Sequence, residues 1–327
     1  VLVRVAGEGI EGLGEGAPNA RYGEDAPSAL AALAALPPLA APETLEDVEA
    51  LLVGCAELLG GHQGALAALD GALSDWLGKR RQASLASLLG LPAQPGGLRT
   101  SYSIGLTGPQ ELASTLAAAA PYPLLKLKLC ADDEADAATL AALHEALPEA
   151  RLRVDANEAW ESREVALRRI LALEAHPQQV ELCEQPLPAG RLDDVAWLRE
   201  RCALPLVADE DCVPGADLPA LAEVYHGVNI KLDKEGGLLA ARRRLRAARE
   251  LGLSVMVGCM VASSLALTQA AHVGLSGATW ADLDGHLLLA DDPFDGLIVG
   301  EDAGVTLPRG RRGLGVVSRL RRGPTRR

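Results

Sequence analysis

The sequence predicts an α/β fold in which eight parallel strands form a barrel, preceded by a small α+β domain. Three observations carry this expectation. After Thr100, short apolar or β-branched runs alternate with Ala/Leu/Glu/Arg-rich stretches of helical periodicity. The positions at or near the C-terminal end of each run fall at 104, 128, 155, 184, 209, 234, 258 and 282, a repeat of 24 to 29 residues that suits one strand–helix unit. The segment before Thr100 lacks this rhythm. Strand counting alone leaves an open doubly wound sheet as the alternative, since both architectures use the same units.

Taken in order, Val1–Val5 reads as a strand, 7–27 is rich in Gly and Pro, and two helical patterns follow. The second, over His62–Lys79, puts Leu66, Leu69, Leu73 and Leu77 at helical spacing with Asp70 and Asp75 toward other faces. The eight predicted strands are Tyr102–Leu106, Leu124–Leu129, Leu152–Val154, Val180–Leu182, Leu206–Ala208, Val228–Leu232, Ser254–Val257 and Thr279–Leu283. Helices are expected at Glu134–Leu147, Ser162–Glu174 and Leu238–Leu251. Leu253–Ala278 runs 26 residues without a charge, the length of a membrane span. Gly258, Ser263, Ser264, Thr268, Gln269 and His272 interrupt it, so it reads as a buried strand followed by a buried helix.

Composition narrows the function. The 327 residues, 49% hydrophobic and 23% charged, are those of a globular protein. Against 44 acidic side chains stand 31 basic ones, and a net charge of -13 repels a phosphate backbone, which disfavours nucleic acid as a partner. Cys55, Cys130, Cys183, Cys202, Cys212 and Cys259 are scattered, suggesting neither a zinc knuckle nor a disulfide framework. A reducing cytoplasm is the expected home, with no membrane partner, and Val1–Val5, carrying Arg4, does not read as a signal peptide.

Charged residues collect at the predicted strand ends. Asp155, Glu184 and Asp209, on three successive strands, would converge at a barrel mouth as a hard-oxygen site that suits Mg²⁺ better than zinc. One such carboxylate alone would read as the N-cap of the following helix. Lys126 and Lys128 share a side through their spacing of two, and Lys128 and Lys234 approach the centre from opposite walls, which suits two-base proton transfer. A lysine base needs a lowered pKa, which burial and a neighbouring cation supply, and Lys126 and the metal would provide that push on Lys128.

These residues resemble the enolase superfamily, muconate-lactonizing branch, and within it the dipeptide epimerases. The resemblance rests on 72–79 (ALSDWLGK), Leu88-Leu89-Gly90, Lys126-Leu127-Lys128, Asp155-Ala156-Asn157, Glu184-Gln185-Pro186 and Asp209-Glu210. It continues through Lys231 to Gly237, Gly258-Cys259-Met260, Asp282-Leu283-Asp284-Gly285 and Gly313-Leu314-Gly315-Val316. It implies a (β/α)7β modified TIM barrel at 100–294 under an α+β capping domain at 1–99, with 295–327 returning to the cap. The chain then opens at the second strand of that cap. The resemblance further implies Mg²⁺ on Asp155, Glu184 and Asp209, and Lys128 and Lys234 as the acid/base pair. The substrate would meet Lys126, Asp282, Asp284 and Met260, with Asn157, Glu210 and Lys231 in support. Asp282 and Asp284 would hold a substrate ammonium, consistent with two carboxylates on same-facing positions.

Epimerisation of an L-Ala-D/L-Glu-like dipeptide is therefore the expected reaction, with association between copies of the chain left open. N-acylamino acid racemisation, o-succinylbenzoate synthesis or cycloisomerisation is the alternative within the branch, and Asp282 and Asp284 argue against it. A non-catalytic binding protein would have no use for both Lys128 and Lys234. Gly7-Glu8-Gly9-Ile10-Glu11-Gly12 fits a dinucleotide fingerprint by letter, but no helix opens after it. By the resemblance, Gly14 to Pro18 and Tyr22 to Glu24 belong to the cap's substrate loop, and Val261 to Ser264 lines the pocket. The histidines lack ligand spacing, and the eight arginines of Arg309–Arg327 read as a solvated tail.

Overall fold

A computed structural model of the chain describes residues 1–91 and 97–319. Strands β1 (Leu2–Gly7) and β2 (Ile10–Glu15) form an antiparallel hairpin. Its turn uses Glu8 and Gly9 at φ 54° and 75°, the left-handed pair that matches strand twist. The dinucleotide-like glycine run is this hairpin. Helices α1 (Ala26–Ala34), α2 (Leu45–Leu58), α3 (Gln63–Arg80) and α4 (Leu85–Leu88) follow. Asp25 caps α1, and Thr44 with Asp47 forms a capping box on α2.

The helix α3 departs from the amphipathic expectation, for it is buried on nearly every side, Asp70 and Asp75 included. The hairpin explains one side. A Cβ on Gly12, Gly14 or Gly16 would stand 2.1, 2.1 or 1.9 Å from the carbonyl oxygens of Ala72, Ala68 and Gly64. Two strand residues advance about 6.6 Å and four helix residues about 6 Å, so the two glycine-bearing repeats run in step. Gly14 and Glu15 are thus strand, not loop, and their glycines are required by close approach. The buried carboxylates find donors. Asp75 accepts from the Leu13 and Leu314 N–H groups, both at 2.9 Å, and pairs with Lys79 at 2.6 Å. Asp70 accepts from Ser74 Oγ and the Leu239 N–H.

The barrel comprises β3 (Tyr102–Ile104), α5 (Pro109–Ala119), β4 (Leu124–Lys128), α6 (Asp133–Ala146), β5 (Arg151–Asp155), α7 (Arg163–Glu174), β6 (Val180–Glu184) and α8 (Leu192–Arg199). It continues with β7 (Leu206–Ala208), α9 (Leu218–Val224), β8 (Gly227–Lys231), α10 (Leu232–Glu235), α11 (Leu238–Glu250), β9 (Ser254–Gly258), α12 (Ser264–Gly274) and β10 (Trp280–Asp282). Strands β3 to β10 pair in sequence order, all parallel, and a Thr100–Ala281 bridge joins the two edges. A doubly wound sheet would reverse its order at the centre, so the barrel alternative is the one realised. Leu125 and Leu127 are buried on the helix side of β4, while Leu182, Val207 and Met256, with Trp280, form a separate apolar cluster. The uncharged stretch resolves into β9 and α12, and no described helix is long and apolar enough to cross a membrane.

One predicted strand ends early. The sixth stops at Lys231, and Leu232–Glu235 makes a single helical turn, so Lys234 lies on α10 and not on a strand. Beyond the barrel, β11 (Phe294–Asp295) pairs with β14 (Val317–Ser318) and β12 (Ile298–Val299) with β13 (Val305–Thr306). The intervening segment reaches α3, where the Gly313 Cα approaches Gly78. In the arginine tail, Arg311 and Arg319 pair with Asp295, while Arg321, Arg322, Arg326 and Arg327 lie outside the described residues. All six cysteines are free thiols.

Candidate active site

The alternation of each strand brings its charged residue to the C-terminal mouth of the barrel. Lys126 Nζ stands 3.1 Å from Asp155, 2.9 Å from Glu184 and 2.7 Å from Asp282, fully buried. Asp209 Oδ2 lies 2.7 Å from Lys231 Nζ, and its Oδ1 lies 2.7 Å from Lys234 Nζ. Lys234 also donates to the Asp209 and Asn229 carbonyls. Lys128 is more open, 3.4 Å from Asp155 Oδ2 and 2.8 Å from Asn157 Oδ1. Round the barrel the order is Lys128, Asp155 and Glu184 on β4, β5 and β6, Asp209 just past β7, and Lys234 on α10 after β8, and with Lys128 paired to Asp155 and Lys234 to Asp209 the two amines bracket the three carboxylates.

The carboxylates do not form a ready-made chelate, and among the described residues no group of three His, Cys, Asp or Glu side chains is arranged to hold a metal. Asp155 and Glu184 share the Lys126 ammonium, whereas Asp209 turns to Lys231 and Lys234. The donor set nevertheless fits a hard divalent cation. Four lysines face six carboxyl groups, those of Asp155, Glu184, Asp209, Glu210, Asp282 and Asp284, so oxygen donors outnumber the amines. Glu210 Oε2 is buried without a hydrogen-bond partner among the described residues. Burial and the Asp155 charge push Glu184 up to about 7, and burial with the Asp209 charge pushes Glu210 up to about 8. Such a site binds positive charge readily.

The lysines differ from expectation in one respect. Burial alone would lower Lys234, but the Asp209 carboxylate outweighs it and raises the pKa above its ordinary value. At Lys126 the burial penalty is likewise overcome, by Asp155, Asp282 and Glu184. Asp282 accepts from Ser101 Oγ at 3.0 Å besides Lys126, and Asp284 accepts from the Ser103 N–H. Burial and the Asp282 charge push Asp284 up to about 6.

The mouth is covered from the cap. A one-turn 3-10 segment, Ala20–Tyr22, follows β2. Just before it, Asn19 donates to Met260 Sδ at 3.4 Å, and Arg21 pairs with Glu158 at 2.8 Å. Asn157 and Glu158 both have positive φ, a left-handed turn that brings Asn157 to Lys128. Ser263, in the stretch expected to line the pocket, is held by Glu15 of β2.

Three side chains were given no role from sequence. Asn229 donates to Glu184 Oε1 at 2.7 Å, and its spacing of two from Lys231 was a readable signal. Gln185 accepts from the Asp209 and Asp211 N–H groups and so sets the loop that carries Asp209. Arg21 had no signal, since its partner is distant in sequence.

A family model described as the mandelate racemase / muconate lactonizing enzyme N-terminal domain matches residues 1–90, and one described as enolase C-terminal domain-like matches residues 109–321. The chain is 39% identical over 291 residues to an L-Ala-D/L-amino acid epimerase of Pedosphaera parvula, covering 89% of this chain and 82% of that protein. It is 37% identical over 295 residues to the L-Ala-D/L-Glu epimerase of Escherichia coli, covering 89% and 87%. The structure superposes on a dipeptide epimerase from Methylococcus capsulatus, solved with Mg and the dipeptide L-Arg-D-Lys, with a TM-score of 0.84, 32% identity, and 97% and 91% of the two chains covered. With both parts of its length matched and its charged residues gathered at the barrel mouth, the chain belongs to the mandelate racemase/muconate lactonizing enzyme family of the enolase superfamily.

Proposed function

We propose that the protein is a Mg²⁺-dependent dipeptide epimerase that inverts one α-carbon by two-base proton transfer. The observation that carries this reading is the bracketing of three acidic strand ends by two amines, Lys128 on one side and Lys234 on the other. Asp155, Glu184 and Asp209 would hold Mg²⁺, which when bound offsets the negative charge that develops on the substrate carboxylate as the α-proton leaves. One lysine, as the neutral amine, takes that proton, and the other, as the ammonium, returns one to the opposite face. Asn157 orients Lys128 through their 2.8 Å hydrogen bond. Lys126 balances the buried charge of Asp155, Glu184 and Asp282. Asp282 and Asp284 hold the substrate's ammonium group, and Glu210 and Lys231 tune the field around Asp209. Met260, joined to Asn19 of the cap, lines the substrate space.

The test is incubation of a dipeptide library with Mg²⁺ in heavy water, read by mass spectrometry for a one-dalton gain at a single carbon. The epimerase reading expects labelled epimers, and no labelled dipeptide would reject it. Lys128→Ala and Lys234→Ala should each lower epimerisation by about 10²- to 10⁴-fold, the usual contribution of a positioned acid or base. Either variant epimerising at the native rate would remove that lysine from the pair.

A further inference from the structure

The amine of Lys234 is well held at its tip but weakly held by its own backbone. Lys234 sits on α10, a helix of 4 residues, and so short a helix has little stability of its own. Its place is therefore set by what flanks it. Upstream lies β8, and downstream Gly236 and Gly237, at φ 81° and 129°, lead into α11. The N-cap residue of α11 is Gly237, which has no side chain to satisfy the orphan N–H groups, and the first turn of α11 holds no acidic residue. The missing acceptor comes from the cap. Asp70 Oδ2, on α3, accepts from the Leu239 N–H at 2.8 Å, while Asp70 Oδ1 accepts from Ser74 Oγ at 2.9 Å.

Sterics close the same joint. A Cβ on Gly237 would stand 2.4 Å from Asp70 Oδ2, and one on Gly236 would stand 2.4 Å from Gln63 Oε1 and 2.9 Å from Leu66 Cδ2. The turn after Lys234 is thus pressed against one face of α3. A third tie, the Ala17 N–H donating to Asp233 Oδ1 at 2.7 Å, holds α10 from the neighbouring cap segment.

We propose that Asp70 is a positioning residue for Lys234: by capping α11 and seating Gly237 from the capping helix, it fixes the turn that delivers the amine to the substrate. This rests on the epimerase reading. A merely structural role would harm both halves of the reaction, whereas displacement of one amine harms only the half that amine performs. Exchange of the α-hydrogen in heavy water, measured from each epimer separately, tells them apart, and Lys234→Ala identifies the epimer whose hydrogen faces that amine.

Asp70→Leu removes the acceptor and keeps the bulk. It should slow exchange of the Lys234-facing epimer by about 10- to 100-fold, the effect of a displacement near 1 Å, with the other epimer and KM altered by less than about threefold. Asp70→Asn can accept from Leu239 and donate to Ser74, and should restore most of the loss. Should Asp70→Leu fail to fold, Gly237→Ala shifts the same turn and should give the same one-sided loss. Equal losses from both epimers, no loss in either variant, or an Asn variant as impaired as Leu would overturn the positioning role. Wild-type protein that exchanges neither epimer overturns the epimerase reading itself and this inference with it; wild-type exchange with symmetrical losses overturns this inference alone.

Discussion

At the scale of single residues, the site is a balance of buried charges, and removing one leaves its partners exposed to the penalty. Asp282 illustrates this, since its carboxylate, on the last strand of the barrel, meets Lys126 Nζ at 2.7 Å and Ser101 Oγ at 3.0 Å. If Asp282 also receives the substrate ammonium, Asp282→Asn should weaken dipeptide binding by about 10- to 100-fold, the worth of one hydrogen bond to a charged group. Mg²⁺ binding, followed by calorimetry without dipeptide, should change far less. Equal losses would mean that Asp282 serves the metal site and not the ammonium. Much of this residue-level picture was legible in sequence, because period-two alternation fixes which side chains enter the barrel. The pairing of Lys126 with three carboxylates was not, since a long flexible side chain is placed by the charges it meets in space. That Lys234 is raised and not lowered was hidden for the same reason: burial is visible in an apolar run, but the Asp209 oxygen at 2.7 Å is not.

At the scale of elements, the eight barrel strands and the three barrel helices given bounds from sequence were readable to within two residues, while the helical turn at Lys234 and the burial of α3 were not. The sequence around Lys234 lacks a break before Gly236, so nothing local distinguishes a strand's last residues from a single helical turn. The burial of α3 was hidden because the cause lies in another element, the glycines of β2 that let the hairpin lie on its backbone. Helix α12 carries a consequence for pH. His272 is fully buried, with Nδ1 2.8 Å from the Thr268 carbonyl, and burial pushes it down to about 4 from the ordinary 6.5. The folded state thus prefers the neutral ring. Its contribution is fully present above pH 6.5 and is lost as pH falls toward 4, amounting to ~3 kcal/mol at one pKa unit per 1.36 kcal/mol. Asp70, pushed up to about 6 by burial, works in the opposite sense and gains stability as pH falls. Urea unfolding of His272→Gln at pH 7 and pH 4.5 isolates the first effect. The variant should lose less stability between the two pH values than the wild type, and an unchanged difference would show that the ring is protonated in the folded state.

At the scale of the whole molecule, the cap and the barrel are bound by ties that each use groups the other needs. Asp70 caps α11, and Glu15 meets Ser263 at the start of α12 while its backbone exchanges hydrogen bonds with Gln269. Asp75 joins β2 to the segment at Leu314, and Gly71 leaves room for Gln269 against α3. Breaking this interface gives up several hydrogen bonds to charged groups, at about 1.5–3 kcal/mol each. The two parts should therefore unfold together and not in succession. Trp76 reports on the cap, packed in α3 with its ring N–H donating to the Gly7 carbonyl, while Trp160, Trp197 and Trp280 belong to the barrel. The fluorescence difference between wild type and Trp76→Phe gives the cap's own unfolding curve, to be laid over far-ultraviolet circular dichroism, to which the barrel helices contribute most. Coincident midpoints are expected. A cap transition at distinctly lower urea would show that the hairpin and α3 open independently, and the coupling of Lys234 to the cap would then be broken in a fraction of the folded molecules before the barrel itself gives way.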